Sequence, residues 1–543
     1  VLGPSELKHK MGKTIYKTFQ ATAEYNKTIG GHTFGILAGY SWEQEDYRYV
    51  QGSRDKFPGN DLPYLNAGSP DNQKSEGTGN AWAIQSGFGR LRYNFNERYL
   101  FESTVRYDGS SRFPQSKKFG FFPSVAAGWR LSEENFFKEN ESLGFISNLK
   151  LKVSWGRLGN QNIGNYPYQS VYELGQNYPF GDTYTQGAAV TTAVDPTIKW
   201  EETETIDGGL EAVFWNGLLS VNASYFNRRT YDILYKPSGS VSTILGQKIS
   251  EMNTGELKNF GWEFEVGHRN KIGDVSYNVN ANLSIIKNKL TTLGVGNVEQ
   301  LNGMVGNGSD LFIGYPIQMY YGYVSDGVFL DENDIKSWYD QSKVTPNPQP
   351  GDIRYKDISG PDGVPDGKID PNYDRVYLGS RIPKFTFGLN LGVEYKGLDL
   401  SVLLQGVAGV TGMLDGFAGW AFRGDGNIQK WQAEGRFDPA NPTRYPAYPR
   451  LEDLSNSTTP NIVTSDFWTQ DASYIRLKNI QLGYTFPKKM LQAAKISNLR
   501  VYVQAENPLC WNKYKPGWDP EINTSGNYYP ILATYTFGVN FKF

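Results

Sequence analysis

The sequence predicts an all-β protein, an antiparallel transmembrane β-barrel with short turns at one end and long loops at the other. Three observations predict this fold class: residue types alternate with period two, many alternating segments are about ten residues long, and their connections are alternately short and long. About ten residues is the length at which a tilted strand crosses a bilayer. The segments add up to about fifteen strands, each one side of a barrel wall.

The last residues of the chain show the alternation most clearly. The apolar members are Tyr535, Phe537, Val539, Phe541 and Phe543, and polar or small residues separate them. Successive residues of a strand face opposite sides, so one face here is apolar and the other is polar. A soluble sandwich turns such an apolar face inward, whereas a transmembrane barrel turns it toward lipid. This strand alone is compatible with both.

Further segments share the pattern, and helices are scarce. The segments are 91–95, 99–107, 149–155, 219–226, 262–266, 275–283, 385–393, 398–404, 475–484 and 499–505. Aromatic residues near their ends match the girdle of a barrel at the membrane interface. These aromatics are Tyr99, Tyr107, Trp215, Tyr225, Phe385, Tyr395 and Tyr484. Only 132–137 and 488–495 are predicted to form a turn or two of helix.

The connections favour the barrel over a soluble protein with several sheets. Tight turns are predicted at 96–98, 216–217, 270–274 and 396–397. Long connections are predicted at 48–83, 109–119, 158–203, 230–258, 288–383, 408–473 and 507–532. Loops of this length are uncommon in a compact soluble domain but form the outer mouth of large barrels.

Composition excludes several function classes. The 54 Lys and Arg residues are balanced by 56 Asp and Glu residues, which argues against nucleic-acid binding because phosphate neutralisation needs surplus positive charge. Three histidines and one cysteine leave little material for metal catalysis or a Ser–His–Asp set. The sequence contains no phosphate-binding loop of the Walker type. We therefore expect no enzyme and no required cofactor.

Several motifs together identify a resemblance. They include YLFESTVRYDGSSRF at 99–113, FPS at 122–124, GWR at 128–130, SWGRLGNQ at 154–161, KWEET at 199–203, YFNRRTYDIL at 225–234, NFGWE at 259–263, GDIRYKD at 351–357, YIRLKNI at 474–480 and DPE at 519–521. From about residue 85 to its end, the chain resembles the SusC-like TonB-dependent outer-membrane transporters of Bacteroidetes. Each motif is weak alone, and the set is specific.

The resemblance implies how the chain is organised. Residues 1–543 correspond to the C-terminal portion of the family barrel, with 288–383 and 408–473 as long extracellular loop regions. The family barrel has about 22 strands. A signal peptide, a TonB box and a plug domain precede it in the family, and none of these precedes Val1. We therefore expect the remaining strands and the plug to come from another polypeptide or from an N-terminal part of the same protein.

The resemblance also implies a function and partners. It predicts TonB-dependent import of an oligomeric nutrient across the outer membrane, with oligosaccharide favoured and oligopeptide as the competitor. The expected partners are a SusD-like lid lipoprotein, TonB, outer-membrane lipid and a second transporter–lid pair. A passive porin and, less favoured, a soluble secreted glycan-binding protein are the alternatives.

Two groups of loop aromatics are candidate substrate contacts. Phe417, Trp420 and Phe422 lie together beside Arg423, and the sequence also places Asp425 there. Rings of this kind stack on sugars or contact a lid, although ordinary loop packing is the competing interpretation. Tyr178 and Phe180 form a weaker candidate of the same type in another loop.

One acidic loop is a candidate calcium site. Its oxygen donors are Asp357, Ser359, Asp366, Asp370 and Asp374. Hard cations prefer several carboxylate oxygens around a glycine bend. The spacing departs from the standard twelve-residue loop by an insertion at 361–365, and no bidentate Glu follows. A solvated acidic turn is the alternative.

Three further predictions concern individual residues. Phe541 and Phe543 are candidate recognition signals for barrel assembly, as the resemblance implies, and they also suit a plain aromatic girdle. Cys510 is predicted to be an unpaired, inert thiol in a loop. Asp108, Arg112 and Arg130 are predicted to have a structural role, through lumen-side or loop-anchoring hydrogen bonds.

Overall fold

A 15-stranded antiparallel sheet dominates the computed structural model, and each strand pairs with its neighbours in chain order. The structure describes residues 5–236, 244, 246–293, 298–299, 304–306, 310–423, 426–452, 459–492, 495–515, 517–522 and 529–543. The strands are β1 (Glu6–Ile29), β2 (His32–Asp55), β3 (Lys74–Phe95), β4 (Tyr99–Ser110), β5 (Phe119–Arg130), β6 (Ile146–Asn160), β7 (Glu201–Phe214), β8 (Leu219–Tyr231), β9 (Glu256–Ile272), β10 (Val275–Thr292), β11 (Phe385–Tyr395), β12 (Leu398–Ala408), β13 (Tyr474–Thr485), β14 (Asn498–Asn512) and β15 (Thr534–Lys542). The predicted strand number and antiparallel class are confirmed.

The register separates an apolar face from a polar face. Residues directly opposite one another share a face, so a chain of partners traces one row across the sheet. One row from β6 to β14 is entirely apolar: Leu149, Ala212, Val221, Val266, Ala281, Leu389, Leu404, Leu477 and Leu509. A neighbouring row on the other face is mostly polar: Arg130, Lys150, Glu211, Asn222, Glu265, Asn282, Gly388, Gln405, Arg476 and Cys510.

The apolar side chains of β15 do not enter a protein core. Phe537, Val539 and Phe541 keep 71%, 45% and 56% of their surface exposed. A soluble sandwich would bury this face, because apolar surface removed from water is the main stabilising term of such a fold. The exposed apolar face matches the orientation predicted for a membrane wall.

Tight turns join the strands at one end of the sheet. Asn96, Glu97 and Lys396 have φ of 50°, 56° and 46°, the left-handed conformation that two-residue hairpin turns require. The predicted turn at 270–274 is shorter in the structure, because β9 continues to Ile272 and leaves only Gly273 and Asp274 between the strands. The alternation of tight and long connections is confirmed except at 131–145 and 486–497, which lie at the tight-turn end and contain short helices.

Several strands are longer than predicted. β1 and β2 each have 24 residues, so the connection predicted at 48–83 shrinks to 56–73. Toward the long-connection end of these strands both faces carry polar residues, and the period-two signal disappears there. β14 likewise extends to Asn512, so Cys510 lies in a strand and not in the predicted loop. Phe543 follows the last residue of β15.

The connections contain short elements only. The helices are α1 (Asn135–Lys138), α2 (Glu332–Ser337), α3 (Gly416–Gly419), α4 (Lys430–Gly435) and α5 (Lys488–Leu491). The 3-10 turns are Leu65–Ala67, Leu131–Glu133, Glu141–Leu143, Trp215–Gly217 and Pro460–Ile462. The short strands are Glu173–Leu174, Tyr178–Phe180, Thr183–Thr185, Ala188–Ala189, Thr192–Ala193, Leu234–Tyr235, Lys248–Ile249, Met252–Asn253, Val298–Glu299, Val305–Gly306, Met319–Tyr323, Ser325–Val328, Ile353–Tyr355, Arg375–Ser380, Thr411–Met413 and Thr469–Asp471. Across the described ranges, every helix is too short or too polar to cross a bilayer.

The three polar residues predicted to have a structural role form ion pairs or hydrogen bonds. Asp108 pairs with Arg106 at 3.0 Å, and the Arg112 guanidinium donates to the Gln161 carbonyl at 3.1 Å. Arg130 lies at the tight-turn end and pairs with Glu97 at 3.0 Å. These contacts support the structural role predicted for Asp108, Arg112 and Arg130.

Candidate functional site

Three long connections fold together into one unit, which we call the cap. It comprises the described parts of 293–384, 409–473 and 513–533. The buried core of the cap is Tyr323, Val328, Ile353, Tyr355, Ile369, Leu414, Ala418, Ala421, Phe437, Tyr448, Trp468, Ala472 and Tyr514. The regions 288–383 and 408–473, which the sequence predicts only as long loops, therefore share a hydrophobic core with the last connection.

Buried ion pairs hold the cap together. Arg354 pairs with Asp326 and Asp334 and lies 3.6 Å from the centroid of the Trp338 ring, while Arg444 also pairs with Asp334. Removal of one partner of such an ion pair destabilises the fold, because the remaining charge is left in a poorly solvated site. The cap is therefore held in one defined structure, and it can present a surface of fixed shape.

Asp352 forms the second charged centre of the cap. Arg450 pairs with this carboxylate, and the Asn461 amide donates to it at 2.9 Å. Burial raises the pKa of Asp352, and Arg450 opposes that shift. The Asn461 side chain also accepts from the Ile353 N–H at 2.8 Å, so this centre links strand Ile353–Tyr355 to the 459–473 segment.

The predicted aromatic group sits on the cap, and its members have different environments. Phe417 and Phe422 are exposed, whereas Trp420 is half-buried and packs against the cap core. The Arg423 guanidinium lies 4.9 Å from the centroid of the Trp420 ring. Asp425 lies outside the described residues. Packing thus accounts for Trp420, while Phe417 and Phe422 remain accessible to a ligand or lid.

Hydrogen bonds fix the backbone under these rings. The Gln429 side chain donates to the carbonyls of Phe417 and Ala418 at 2.9 and 3.1 Å. The Tyr448 hydroxyl accepts from the Ala421 N–H at 2.8 Å, and burial raises the pKa of that tyrosine. A ring on a backbone anchored in this way loses less conformational freedom when it contacts a ligand.

Two tryptophans that the sequence did not single out join this site. The indole N–H groups of Trp431 and Trp518 both donate to Gln429 Oε1, each at 2.9 Å. Both rings are partly buried against the cap core, from different connections. Trp518 and Asp519 also line an open pocket of about 610 Å³. In the sequence, each of these residues appears only as a tryptophan within a polar loop. Only the tertiary contacts show that both lie near Phe417.

Tyr178 and Phe180 lie on a separate hairpin. Strand Tyr178–Phe180 pairs with Thr183–Thr185, and the two rings meet edge to face with centroids 5.2 Å apart. Tyr178, Phe180 and Tyr184 are all strongly exposed. An exposed aromatic cluster on a loop is typical of a contact surface. The residues do not belong to the core of the cap.

The acidic loop uses most of its carboxylates for internal hydrogen bonds. Asp374 accepts from the N–H groups of Ile358, Ser359 and Asp370, at 2.7, 3.1 and 2.6 Å. Burial raises the pKa of Asp374. Within the ranges that the structure describes, no three His, Cys, Asp or Glu side chains form a group that could hold a metal ion.

The other three aspartates predicted as calcium ligands are also engaged. Asp370 pairs with Lys343, Asp357 accepts from the Gly367 N–H at 2.6 Å, and Asp366 accepts from the Lys368 N–H at 3.0 Å. Calcium would have to compete with these partners. The calcium site stays a prediction, with Asp357, Ser359, Asp366, Asp370 and Asp374 as ligands.

Chelation tests the calcium site. If it exists, calcium at about 100 times its Kd stabilises the folded cap by about 2.7 kcal/mol, and excess chelator removes that stabilisation. We expect Asp366→Asn to abolish the difference between calcium and chelator in a thermal melt. Asp362→Asn, an exposed neighbour outside the ligand set, is the control. A wild-type melt that chelator leaves unchanged would show that the loop is a solvated acidic turn.

Another open pocket lies on the polar face of the sheet and not in the cap. It has a volume of about 660 Å³, and its lining includes Asn26, Arg92, Glu102, Lys150 and Lys152. These side chains come from β1, β3, β4 and β6. The polar wall therefore offers charged groups of both signs to a passing or bound solute.

The predicted assembly signal is accessible. Phe541 lies opposite Leu499 on the apolar face, and the Phe541 and Phe543 rings meet edge to face at 5.3 Å. Both rings are exposed. Their role in assembly stays a prediction.

Comparisons with known proteins agree with this geometry. Residues 8–507 match the family model described as TonB dependent receptor-like, beta-barrel. The TonB-dependent receptor SusC of Bacteroides thetaiotaomicron is 28% identical over 99% of the chain and 50% of its own length. TonB-dependent receptor P3 of Formosa agariphila is 28% identical over 96% of the chain and 51% of its own length. The chain thus spans about half the length of these curated relatives.

A solved structure shares the architecture. The RagAB peptide importer in its open-open state superposes with a TM-score of 0.79 at 25% identity, over 99% of this chain and 56% of that one. The matched family is one of receptors and not of enzymes. On the strength of the family match and its 15-stranded two-faced sheet, the chain belongs to the TonB-dependent receptor-like β-barrel family.

Proposed function

We propose that this chain forms the C-terminal barrel portion of a SusC-like receptor that imports an oligomeric nutrient across the outer membrane with energy delivered through TonB. The observation that carries the proposal is the two-faced sheet: an apolar row crosses nine strands, and the row beside it on the other face consists mostly of charged or amide side chains. Such a wall suits lipid on one side and a hydrated route on the other.

The cap is the proposed recognition surface. Phe417 and Phe422 are exposed on a fixed backbone, and Trp431 and Trp518 converge on Gln429 beside them. Exposed aromatic rings on an anchored backbone bind sugar rings by stacking. Oligosaccharide is therefore the favoured cargo. Oligopeptide is the second candidate, since the RagAB neighbour is a peptide importer.

The proposed partners follow from the same family. A SusD-like lipoprotein would cover the cap, TonB would act through the N-terminal part of the receptor, and two transporter–lid pairs would assemble into a dimer. The plug and the remaining strands would complete the barrel around the polar face. Similarity to SusC and to the RagAB complex supports these partners.

Uptake by intact cells tests the proposal. Cells that carry the full-length receptor should accumulate a labelled oligosaccharide pool, and a protonophore should stop that accumulation. Receptor-deletion cells should accumulate little, and cells that lack TonB should behave like them. A labelled peptide pool, assayed in parallel, decides between the two cargo classes.

The porin alternative predicts a different result. Diffusion through an open barrel continues without proton-motive force and without TonB, and it equilibrates the solute without concentrating it. Receptor-dependent uptake that survives both treatments would refute energised import. A protein that partitions into the aqueous phase without detergent would refute the membrane wall itself.

A further inference from the structure

The apolar face of the sheet carries, in its long-loop half, a row with three aromatic side chains, which we call the aromatic row. The row runs through directly opposed partners from β6 to β11: Val153, Gly208, Tyr225, Trp262, Ile285 and Phe385. The Tyr225 and Trp262 rings are in contact, with centroids 5.2 Å apart. Tryptophan and tyrosine concentrate at the level of lipid headgroups. This row marks that level on the proposed membrane wall.

A charged row lies on the same face, four residues further along each strand toward the long connections. Its members are Arg157, Glu204, Arg229, Lys258 and Lys289, each directly opposite the next. The row between carries Lys287, opposite Phe260. At about 3.4 Å per residue, Lys287 is about 7 Å and Lys289 about 14 Å beyond the aromatic row along the strands. Strand tilt shortens these distances along the membrane normal, and the flexible lysine side chains can bring their ammonium groups closer to the aromatic row.

The positive charges of these rows exceed the available carboxylates. Arg157 pairs with Glu204 at 3.2 Å, Arg229 pairs with Glu256, and Lys258 Nζ lies 3.9 Å from Glu256. Among the contacts of the described residues, Lys287 and Lys289 form no ion pair, and both are exposed.

The register places Lys258 and Lys289 directly against each other. Like charges opposite one another on neighbouring strands destabilise a sheet. A bound anion between them would turn this repulsion into attraction. Phosphate oxygens accept short, charge-assisted hydrogen bonds from ammonium and guanidinium groups. The opposed Lys258 and Lys289 therefore favour binding of an anion at the level of the lipid headgroups.

We propose that the basic strip, defined as Arg229, Lys258, Lys287 and Lys289, binds the phosphorylated headgroup of an outer-leaflet lipid. The proposal rests on the outer-membrane location proposed above, because only there does this face meet lipid. The aromatic row packs against the acyl boundary, and the strip holds the phosphate one to two rows beyond it. Basic clusters at a lipid boundary bind anionic headgroups in this way.

The test uses the full-length receptor in detergent, titrated with lipid A and with dephosphorylated lipid A and followed by native mass spectrometry. Each lysine near an anionic headgroup contributes about a factor of five, so Lys287→Gln/Lys289→Gln should weaken lipid A binding about 30-fold. Dephosphorylated lipid A should bind weakly to wild type and variant alike. Lys488→Gln/Lys489→Gln, an exposed pair at the tight-turn end, should bind like wild type.

Competition and stability measurements complete the test. Millimolar inorganic phosphate should not displace lipid A, because it lacks the acyl chains that pack on Tyr225 and Trp262. Without lipid, the double variant should be at least as heat-stable as wild type, because it removes the Lys258–Lys289 repulsion. Equal lipid A binding by variant and wild type would overturn the proposal. So would displacement by free phosphate, or a variant that keeps the lipid but loses the lid lipoprotein.

Discussion

Replacement of Trp468 by alanine is expected to unfold the cap while the sheet stays intact. Trp468 is 1% exposed and packs in the cap core, and its indole N–H donates to the Asn461 carbonyl at 2.7 Å. Removal of a buried aromatic side chain costs about 3–5 kcal/mol, and the orphaned carbonyl adds to that loss. The import proposed above should then be lost along with the surface around Phe417.

Two observables separate the cap from the sheet in this experiment. Limited proteolysis should cut connection 409–473 in the Trp468→Ala variant, while the heat-modifiable gel mobility of the barrel stays as in wild type. Tyr445→Ala is the matched control, because Tyr445 lies in the same connection with 74% of its surface exposed. A variant whose cap resists protease as well as the Tyr445→Ala control would show that the cap does not depend on this core.

Replacement of Arg476 by methionine is expected to detach the last connection from the sheet. Arg476 lies on the polar face of β13, is 2% exposed, and donates from Nη2 to both carboxylate oxygens of Asp519 at 2.6 Å. Its Nε is 2.9 Å from Glu521, to which the Tyr474 hydroxyl also donates at 2.6 Å. Loss of one partner of a buried ion pair costs about 3–5 kcal/mol, because the remaining charges are left uncompensated.

A triple variant shows whether the unpaired carboxylates cause the loss of stability. Arg476→Met combined with Asp519→Asn and Glu521→Gln should recover part of the lost stability, as it leaves no unpaired carboxylate. Protease sensitivity of connection 513–533 and the thermal midpoint are the measurements. Arg228→Met, an exposed arginine without a described ion pair, is the control. If the single and triple variants melt at the same temperature, these charges do not hold connection 513–533 against the sheet.

The sequence predicted the sheet well because its signals are local. Alternation of apolar and polar residues requires only neighbouring positions, and turn residues such as Lys396–Gly397 act within the hairpin they form. Strand ends were placed less well, since β1 and β2 run beyond the apolar rows with polar residues on both faces. The position of Cys510 was wrong for the same reason. In those segments the period-two signal is absent, although the backbone pairing continues.

The cap could not be predicted, because its contacts join distant parts of the chain. Trp518 meets Gln429 across 89 positions, and Asn461 meets Asp352 across 109. The sequence shows each of these residues only as a polar or aromatic position in a loop. The prediction of Phe417, Trp420 and Phe422 found the correct surface but could not separate the packed ring from the exposed ones.

The sequence by itself determined the two faces of the wall, the order of its strands and the end at which the long connections lie, because strand periodicity and turn chemistry are encoded within a few residues. Only the tertiary structure decided which distant side chains meet. The Arg476–Asp519 pair depends on how connection 513–533 folds back, and the Lys258–Lys289 opposition depends on the register of β9 against β10. A shift of one residue in that register would turn one lysine to the other face, so the charge cluster is a property of the fold.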